Sequence, residues 1–293
     1  MLGHDPAGRC VFFEAPLCAI HRDLGHGALP LACRQFPRVS LLGPASVSIS
    51  LSHYCPTAAA LLFEATGPTT IVTGAPRFPA RGEYDGLDVR GAWPPMLRPG
   101  VLTSAASHAR FEARAVELLT RDAFAVTHAV ASLTATTEAL ARWTPEKGDW
   151  EVFAVSVLAE PVAPAALHDT RSLWDAVVAA VPDSSRRPSF LSPPGADREL
   201  FDSPEWPLAG PVKRYLAAKC FASWSAYQGE GLRTTARLIE AALAVLQVES
   251  ARRADGPLER AALVEAVRRS DLLLVHLADP AELARRLDAL PEG

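Results

Sequence analysis

Residues 232–253, LRTTARLIEAALAVLQVESARR, decide the fold class of this chain. Their apolar side chains lie at helical spacing with charged residues between them, and this pattern predicts an amphipathic helix. Similar patterns lie on either side, at residues 212–227 and 257–269, and a last short helix is predicted over residues 280–290. Gly229-Glu230-Gly231 separates the first two patterns, as expected at a boundary between helices.

Helical patterning also dominates the middle of the chain. Residues 104–143 are rich in Ala and contain neither Pro nor Gly, and Thr103 or Ser104 is predicted to be the N-cap. Because such a stretch would be long for one helix, we expect a kink or a turn inside it. Two shorter helices are predicted at residues 150–159 and 170–181.

Three other stretches lack this helical pattern. Residues 46–52, SVSISLS, alternate polar and apolar side chains, which predicts a half-buried strand. Residues 66–103 are rich in Pro, Gly and Arg, and we expect an irregular connection that Phe78 and Trp93 anchor to the core. The Pro-rich residues 182–211 are expected to wrap a surface or line a site.

Together these patterns predict a mainly α fold in three parts. A small, irregular and partly β cysteine-rich module of residues 1–65 precedes the connection of residues 66–103. A helical domain then spans residues 104–293, with the Pro-rich insertion at residues 182–211.

Composition and charge exclude several classes of function. The formal net charge is −4 and the pI is about 6.1, so a broad basic face for nucleic acid is not expected. No apolar run reaches the roughly 18 residues of a membrane span, and the first residues show no signal-peptide pattern. We therefore predict a cytoplasmic protein with no membrane and no nucleic-acid partner.

The cysteines are the main candidates for chemistry. Four of the five lie near the N-terminus with the spacing Cys10-x7-Cys18-x14-Cys33-x21-Cys55. In a reducing compartment, clustered thiols are more often metal ligands or catalytic groups than disulfides. Four thiolates suffice for a tetrahedral zinc site or an iron–sulfur cluster, although unrelated buried thiols would also account for the count. Cys220 lies on a predicted apolar helix face and is expected in the core.

The residues around these cysteines resemble the YkgJ-type cysteine-cluster family of zinc- or iron-chelating proteins. The resemblance covers residues 8–57, and its segments are GRCVFF at residues 8–13, LCAIH at 17–21, PLACRQFP at 30–37 and YCPT at 54–57. It implies a metal site formed by Cys10, Cys18, Cys33 and Cys55.

A looser similarity extends into the tail, around Tyr215-Leu216 and residues 221–231, and is to the long members of the family. These include the flagellin lysine-N-methylases (FliB-like proteins). That similarity implies, as an alternative function, a protein-lysine N-methylase that uses S-adenosylmethionine on a flagellin-like protein partner.

In one respect the chain differs from the family pattern, which opens with a Cys-x-x-Cys-Cys-like element upstream of the position of Cys10. The nine residues before Cys10 contain no Cys. Either the sequence begins too late or the ligand set is reduced, so a third interpretation is a helical interaction protein that no longer binds metal.

Neighbouring polar residues have two interpretations each. His21 could be a fifth ligand or a donor to a thiolate, or else an exposed loop histidine. Arg34 could compensate the charge of a thiolate-rich site or pair with a surface carboxylate. Asp271 and His276 flank an apolar run and could be the polar ends of a buried segment or a catalytic pair.

Overall fold

The computed structural model describes residues 10–14, 17–67, 69–74, 84–182, 206, 208–253 and 258–291. In this part of the chain the fold is mainly α, as predicted. Its α-helices are α1 (Ala19–Leu24), α2 (Leu31–Gln35), α3 (Pro56–Glu64), α4 (Ala105–Thr120), α5 (Val126–Ala141), α6 (Trp150–Ala159), α7 (Thr170–Ala179), α8 (Ala209–Cys220), α9 (Leu232–Ala251), α10 (Arg260–Asp271) and α11 (Pro280–Asp288). None of these described helices is long and apolar enough to cross a membrane.

Helix α9 forms the centre of the molecule. Apart from Arg233 and Leu238 every residue of it is buried, because α5, α7, α8 and α10 pack around it. The helix begins after Gly231, whose φ of +70° favours glycine. A Cβ on Gly231 would lie 1.9 Å from the backbone oxygen of Met96, so only glycine permits this close approach. The predicted helix boundary at Gly231 is therefore confirmed, with a steric reason.

The predicted turn inside residues 104–143 is also confirmed. Helices α4 and α5 are two separate helices of 16 residues each. Ser104 is the N-cap of α4, and its side chain accepts a hydrogen bond from the backbone N–H of Ser107. The predicted helices α6 and α7 are present within two residues of the expected bounds.

Short strands account for the β content. They are β1 (Phe13–Glu14), β2 (Leu17–Cys18), β3 (Arg38–Leu42), β4 (Val47–Leu51), β5 (Leu87–Asp88), β6 (Met96–Arg98) and β7 (Val101–Leu102). The half-buried strand predicted at residues 46–52 is β4, which pairs antiparallel with β3 in the register Ser40 opposite Ile49. Strand β5 adds to the other edge of β3 in parallel.

For the irregular stretches, the expectation that Trp93 anchors the connection is wrong, while the expectation for the Pro-rich passage falls mostly outside the described residues. Trp93 is 79% exposed and does not anchor the connection to the core, while Phe78 lies outside the described residues. Most of the Pro-rich passage, residues 183–205 and 207, is also outside them. The end of that passage is helical, since α8 begins at Ala209, before Pro211. Proline is compatible with a first helical turn, because the N–H that it lacks has no partner there.

Candidate functional site

A hairpin and a short helix position three of the four candidate ligands. Strands β1 and β2 pair antiparallel with Phe13 opposite Cys18, and the backbone N–H of Phe13 donates to the carbonyl of Cys10 at 2.9 Å. These contacts hold Cys10 and Cys18 at the same end of the hairpin. Cys33 follows on α2. We refer to the described residues from 10 to 36 as the cysteine segment.

The thiol of Cys33 is electrostatically coupled to the other two. Its pKa is raised above the ordinary value by burial first, and then by the negative charge of the Cys10 and Cys18 thiolates. Such a Coulombic effect acts over several ångströms and does not require contact between the sulfur atoms. Cys33 itself is an exposed residue, so the group is accessible from solvent.

Cys55 is held differently. It precedes α3 as the N-cap residue, with no side-chain hydrogen bond to the helix. All five cysteines are free thiols, and Cys220 is 1% exposed in the main core, as expected from its helix face. The fold therefore places Cys10 and Cys18 at one hairpin, Cys33 on α2 and Cys55 immediately before α3.

The thiols do not form a closed metal site in this arrangement. Across the described ranges, no group of three or more His, Cys, Asp or Glu side chains lies where it could hold a metal ion. A tetrahedral thiolate site would need side-chain rotation that brings the sulfurs of Cys10, Cys18 and Cys33 onto one centre. Thiolate sulfurs are suitable ligands for zinc or iron. The present positions of these side chains do not form a site for either metal.

The two polar neighbours differ in their surroundings. His21 is exposed on α1, with its ring 6.1 Å from that of His26. Arg34 has its Nε atom buried without a hydrogen-bond partner, and within the described part of the chain no carboxylate pairs with it. Of the two roles expected for Arg34, pairing with a surface carboxylate is therefore not observed.

A buried ionic network lies beside Cys55. Asp271 is fully buried, and its Oδ1 accepts from Lys219 Nζ at 2.5 Å. Its Oδ2 accepts from the hydroxyl of Ser52 at 2.8 Å and from the backbone N–H of Tyr54 at 3.1 Å. Burial alone would raise the pKa of Asp271, but the Lys219 charge and these hydrogen bonds outweigh it and hold the pKa below its usual value. The carboxylate is therefore ionised and accepts every one of these bonds.

Ser52 connects Asp271 to His276. Nε2 of His276 lies 2.8 Å from Ser52 Oγ. A hydroxyl has one proton, and that of Ser52 goes to the ionised Asp271, so Nε2 of His276 must be the donor in its bond to Ser52. Burial lowers the pKa of His276, which keeps the ring neutral near pH 7. The neutral ring with a proton on Nε2 has a lone pair on Nδ1.

Sequence reasoning found only half of this network. Asp271 and His276 were given two interpretations, the polar ends of a buried segment or a catalytic pair, and the structure links them through Ser52. Ser52 and Lys219 were missed as site residues. The alternation that predicted β4 contained the only sequence signal for Ser52, and it pointed to a strand rather than to a site.

Comparison of the chain with protein-family models, with curated proteins and with solved structures finds no match in any of the three.

Proposed function

We propose that this chain is a metal-binding protein of the cysteine-cluster type, with zinc or an iron–sulfur cluster held by the thiolates of the cysteine segment. The observation that carries the proposal is that the hairpin with Cys10 and Cys18 and the short helix with Cys33 follow one another in one small segment, where burial and then the charges of Cys10 and Cys18 raise the pKa of the Cys33 thiol. Thiolates are strong ligands for both kinds of metal centre. Cys55 is the fourth ligand that the family resemblance implies.

The weak apolar packing of the cysteine segment supports the same function. Helix α1 has no buried residue and α2 has one, Gln35. A segment of this kind gains little stability from apolar burial, whereas a bound metal contributes its binding free energy to the folded state. Metal binding would therefore stabilise the part of the chain that packing stabilises least.

Arg34 fits this proposal as a charge-compensating residue. Three or four thiolates on a divalent ion leave net negative charge, which a nearby guanidinium offsets. Arg34 directly follows Cys33 in the sequence. Among the described residues, no carboxylate pairs with its guanidinium. His21 is accessible as a further ligand or as a donor to a thiolate, as predicted from its spacing.

Metal analysis of the full chain purified without oxygen tests the proposal. We expect zinc or iron near stoichiometry, with most of it lost in the Cys33→Ser variant and retained in Cys220→Ala, the matched control in the helical core. A broad visible absorption that disappears on oxidation would identify an iron–sulfur cluster, while a colourless metalloprotein would indicate zinc. The Cys55→Ser variant distinguishes a four-cysteine set from a three-cysteine set.

Two results would overturn the proposal. The first is wild-type protein with neither metal near stoichiometry, although it is folded by circular dichroism. The second is a Cys33→Ser variant that keeps the wild-type metal content. Either would favour the third interpretation, a helical interaction protein that binds no metal.

The methylase alternative and the cytoplasmic location stay predictions. Transfer of a labelled methyl group from S-adenosylmethionine to flagellin would test the first. Free thiols at all five cysteines agree with a reducing compartment, where thiolate metal sites persist.

A further inference from the structure

A cavity of about 440 Å³ opens between the cysteine segment and the helical body. This volume falls within the roughly 300–1,000 Å³ of small-molecule sites. Its lining includes the rings of Phe36 and Trp224 and the side chains of Leu238, Leu283 and Leu287 from α9 and α11. The surfaces that a ligand would contact are thus mainly apolar and include aromatic rings.

Ser40 supplies a polar group that lacks a partner inside this cavity. The residue is 1% exposed, lines the cavity, and its Oγ makes no hydrogen bond. Its backbone oxygen is occupied by Nε1 of Trp224 at 3.2 Å. A buried hydroxyl without a partner costs about 1–3 kcal/mol, a cost that a ligand with a polar atom at this position would remove.

His276 supplies a second polar group at the cavity mouth. Its Nε2 is used by Ser52, while Nδ1 has no hydrogen-bond partner in the described part of the chain. The rings of Tyr54 and Phe36 lie on either side, with centroids 5.7 and 6.5 Å from that of the imidazole. Since Nδ1 carries the lone pair, it accepts a hydrogen bond and cannot donate one.

The charges around the cavity balance. Lys219 lines it, but its ammonium group is neutralised by the buried Asp271 behind it. Arg38 and Asp85 contribute one charge of each sign, and Arg38 donates to the backbone oxygens of Arg34 and Gln35. A ligand with a net charge would therefore enter without a dedicated counter-charge, which is unfavourable on desolvation.

We propose that this cavity binds an uncharged aromatic molecule bearing a hydroxyl or N–H group, with its ring against the apolar lining and its donor on Nδ1 of His276. The volume, the aromatic lining and the balanced charge select a neutral ring system. The acceptor on His276 selects a hydrogen-bond donor. No cysteine lines this site, although Ala32, Gln35 and Phe36 of the cysteine segment do.

Calorimetric titration of the full chain with three naphthalenes tests the proposal. The probes are 2-naphthol, 2-methoxynaphthalene, which has no donor, and naphthalene-2-sulfonate, which is an anion. We expect 2-naphthol to bind about fivefold more tightly than 2-methoxynaphthalene, the effect of one neutral hydrogen bond, and the sulfonate to bind more weakly than either. In the His276→Leu variant the preference for 2-naphthol over 2-methoxynaphthalene should disappear.

A pair of variants on α2 locates the site. Ala32 lines the cavity and is exposed, so Ala32→Trp should block binding without disturbing the fold. Leu31→Trp, at the neighbouring exposed position outside the cavity, is the matched control and should bind like the wild type.

Four results would overturn the proposal. They are no binding of any probe by the wild-type chain, equal affinity for 2-naphthol and 2-methoxynaphthalene, tighter binding of the sulfonate, and unchanged binding in Ala32→Trp. The metal content of the same preparations is measured separately, so failure of the cavity proposal is distinguishable from failure of the metal proposal.

Discussion

The cysteine segment and the helical body, residues 105–291, are stabilised in different ways. In the body, α9 buries nearly all of its 20 residues, and α4, α6, α7 and α11 each begin with a side-chain cap. In the cysteine segment the helices have five or six residues, no side-chain cap and almost no buried side chain. Helices this short are unstable by themselves, because nucleation is unfavourable and few bonds repay it. Under the proposed function, a bound metal rather than a core would stabilise the cysteine segment.

The ionisable groups show the same contrast. In the cysteine segment Arg22, Asp23 and Glu14 form ion pairs on the surface, where solvent screens them. In the body, Glu112 is buried and its pKa is raised to about 7, while burial lowers the pKa of His108 to about 4. The body therefore couples its stability to pH through buried groups, and the cysteine segment does so weakly.

The largest expected effect compares two phenylalanines. Phe111 on α4 is 1% exposed, whereas Phe13 on β1 is 47% exposed. Truncating a buried Phe removes apolar burial and leaves a cavity, so Phe111→Ala should lower the free energy of unfolding by about 4 kcal/mol. Phe13→Ala should lower it by less than about 1 kcal/mol. Urea denaturation measures both, and equal losses would contradict the contrast between the regions.

The next effect concerns the network that links residues 52–54 to the body. In Asp271→Asn the buried Lys219 loses its counter-charge, so we expect a loss of about 3 kcal/mol in the free energy of unfolding. Asp175→Asn on α7 is the control, since its ion pair with Arg171 is exposed and should contribute less than about 0.5 kcal/mol. A loss in Asp271→Asn no greater than in the control would show that the network does not stabilise the fold.

The smallest effect is the pH dependence contributed by Glu112. Burial raises its pKa from 4.5 to about 7, against the hydrogen bond from the backbone N–H of Ala222. Between these values the folded state binds more protons than the unfolded state, so stability falls as pH rises. From pH 5 to pH 8 this group should remove about 2.5 kcal/mol.

Glu112→Gln should abolish that part of the loss, as measured by urea denaturation at both pH values. Glu117→Gln on the exposed face of α4 is the matched control and should leave the alkaline loss in place. If the free energy of unfolding of Glu112→Gln fell between pH 5 and pH 8 as much as that of the wild type, this pH dependence could not be assigned to Glu112.

Local sequence patterns predicted most of the helical body. Helical spacing located α6 and α9, and the absence of Pro and Gly predicted a long helical stretch whose turn was expected from length alone. The same reasoning placed Cys220 in the core. Trp93 shows where this reasoning fails, since its apolar character indicated burial and it is exposed. An isolated aromatic residue carries no periodicity, so nothing in the local sequence determines which way it faces.

The candidate site was less predictable. Spacing and flanking residues selected Cys10, Cys18, Cys33 and Cys55 as a set, and the structure does not bring them onto one metal centre in the described residues. Three of them belong to the cysteine segment, whereas Cys55 is the N-cap residue of α3. The position of each cysteine in space depends on how the strands between them pair. The cysteine spacing does not encode that pairing.

By itself the sequence determined the helices of residues 105–291, the Ser104 cap of α4 and the Gly231 boundary, because these depend on neighbours within a few residues. It did not predict α1, α2 or α3, which lie in the stretch expected to be irregular. Only the tertiary structure decided that Ser52 meets Asp271 and His276, which are 219 and 224 residues away along the chain. The cavity beside them has the same origin, since Phe36, Trp224 and Leu283 come from three distant elements. Contacts over such separations arise from the packing of whole helices and strands, and no local pattern specifies them.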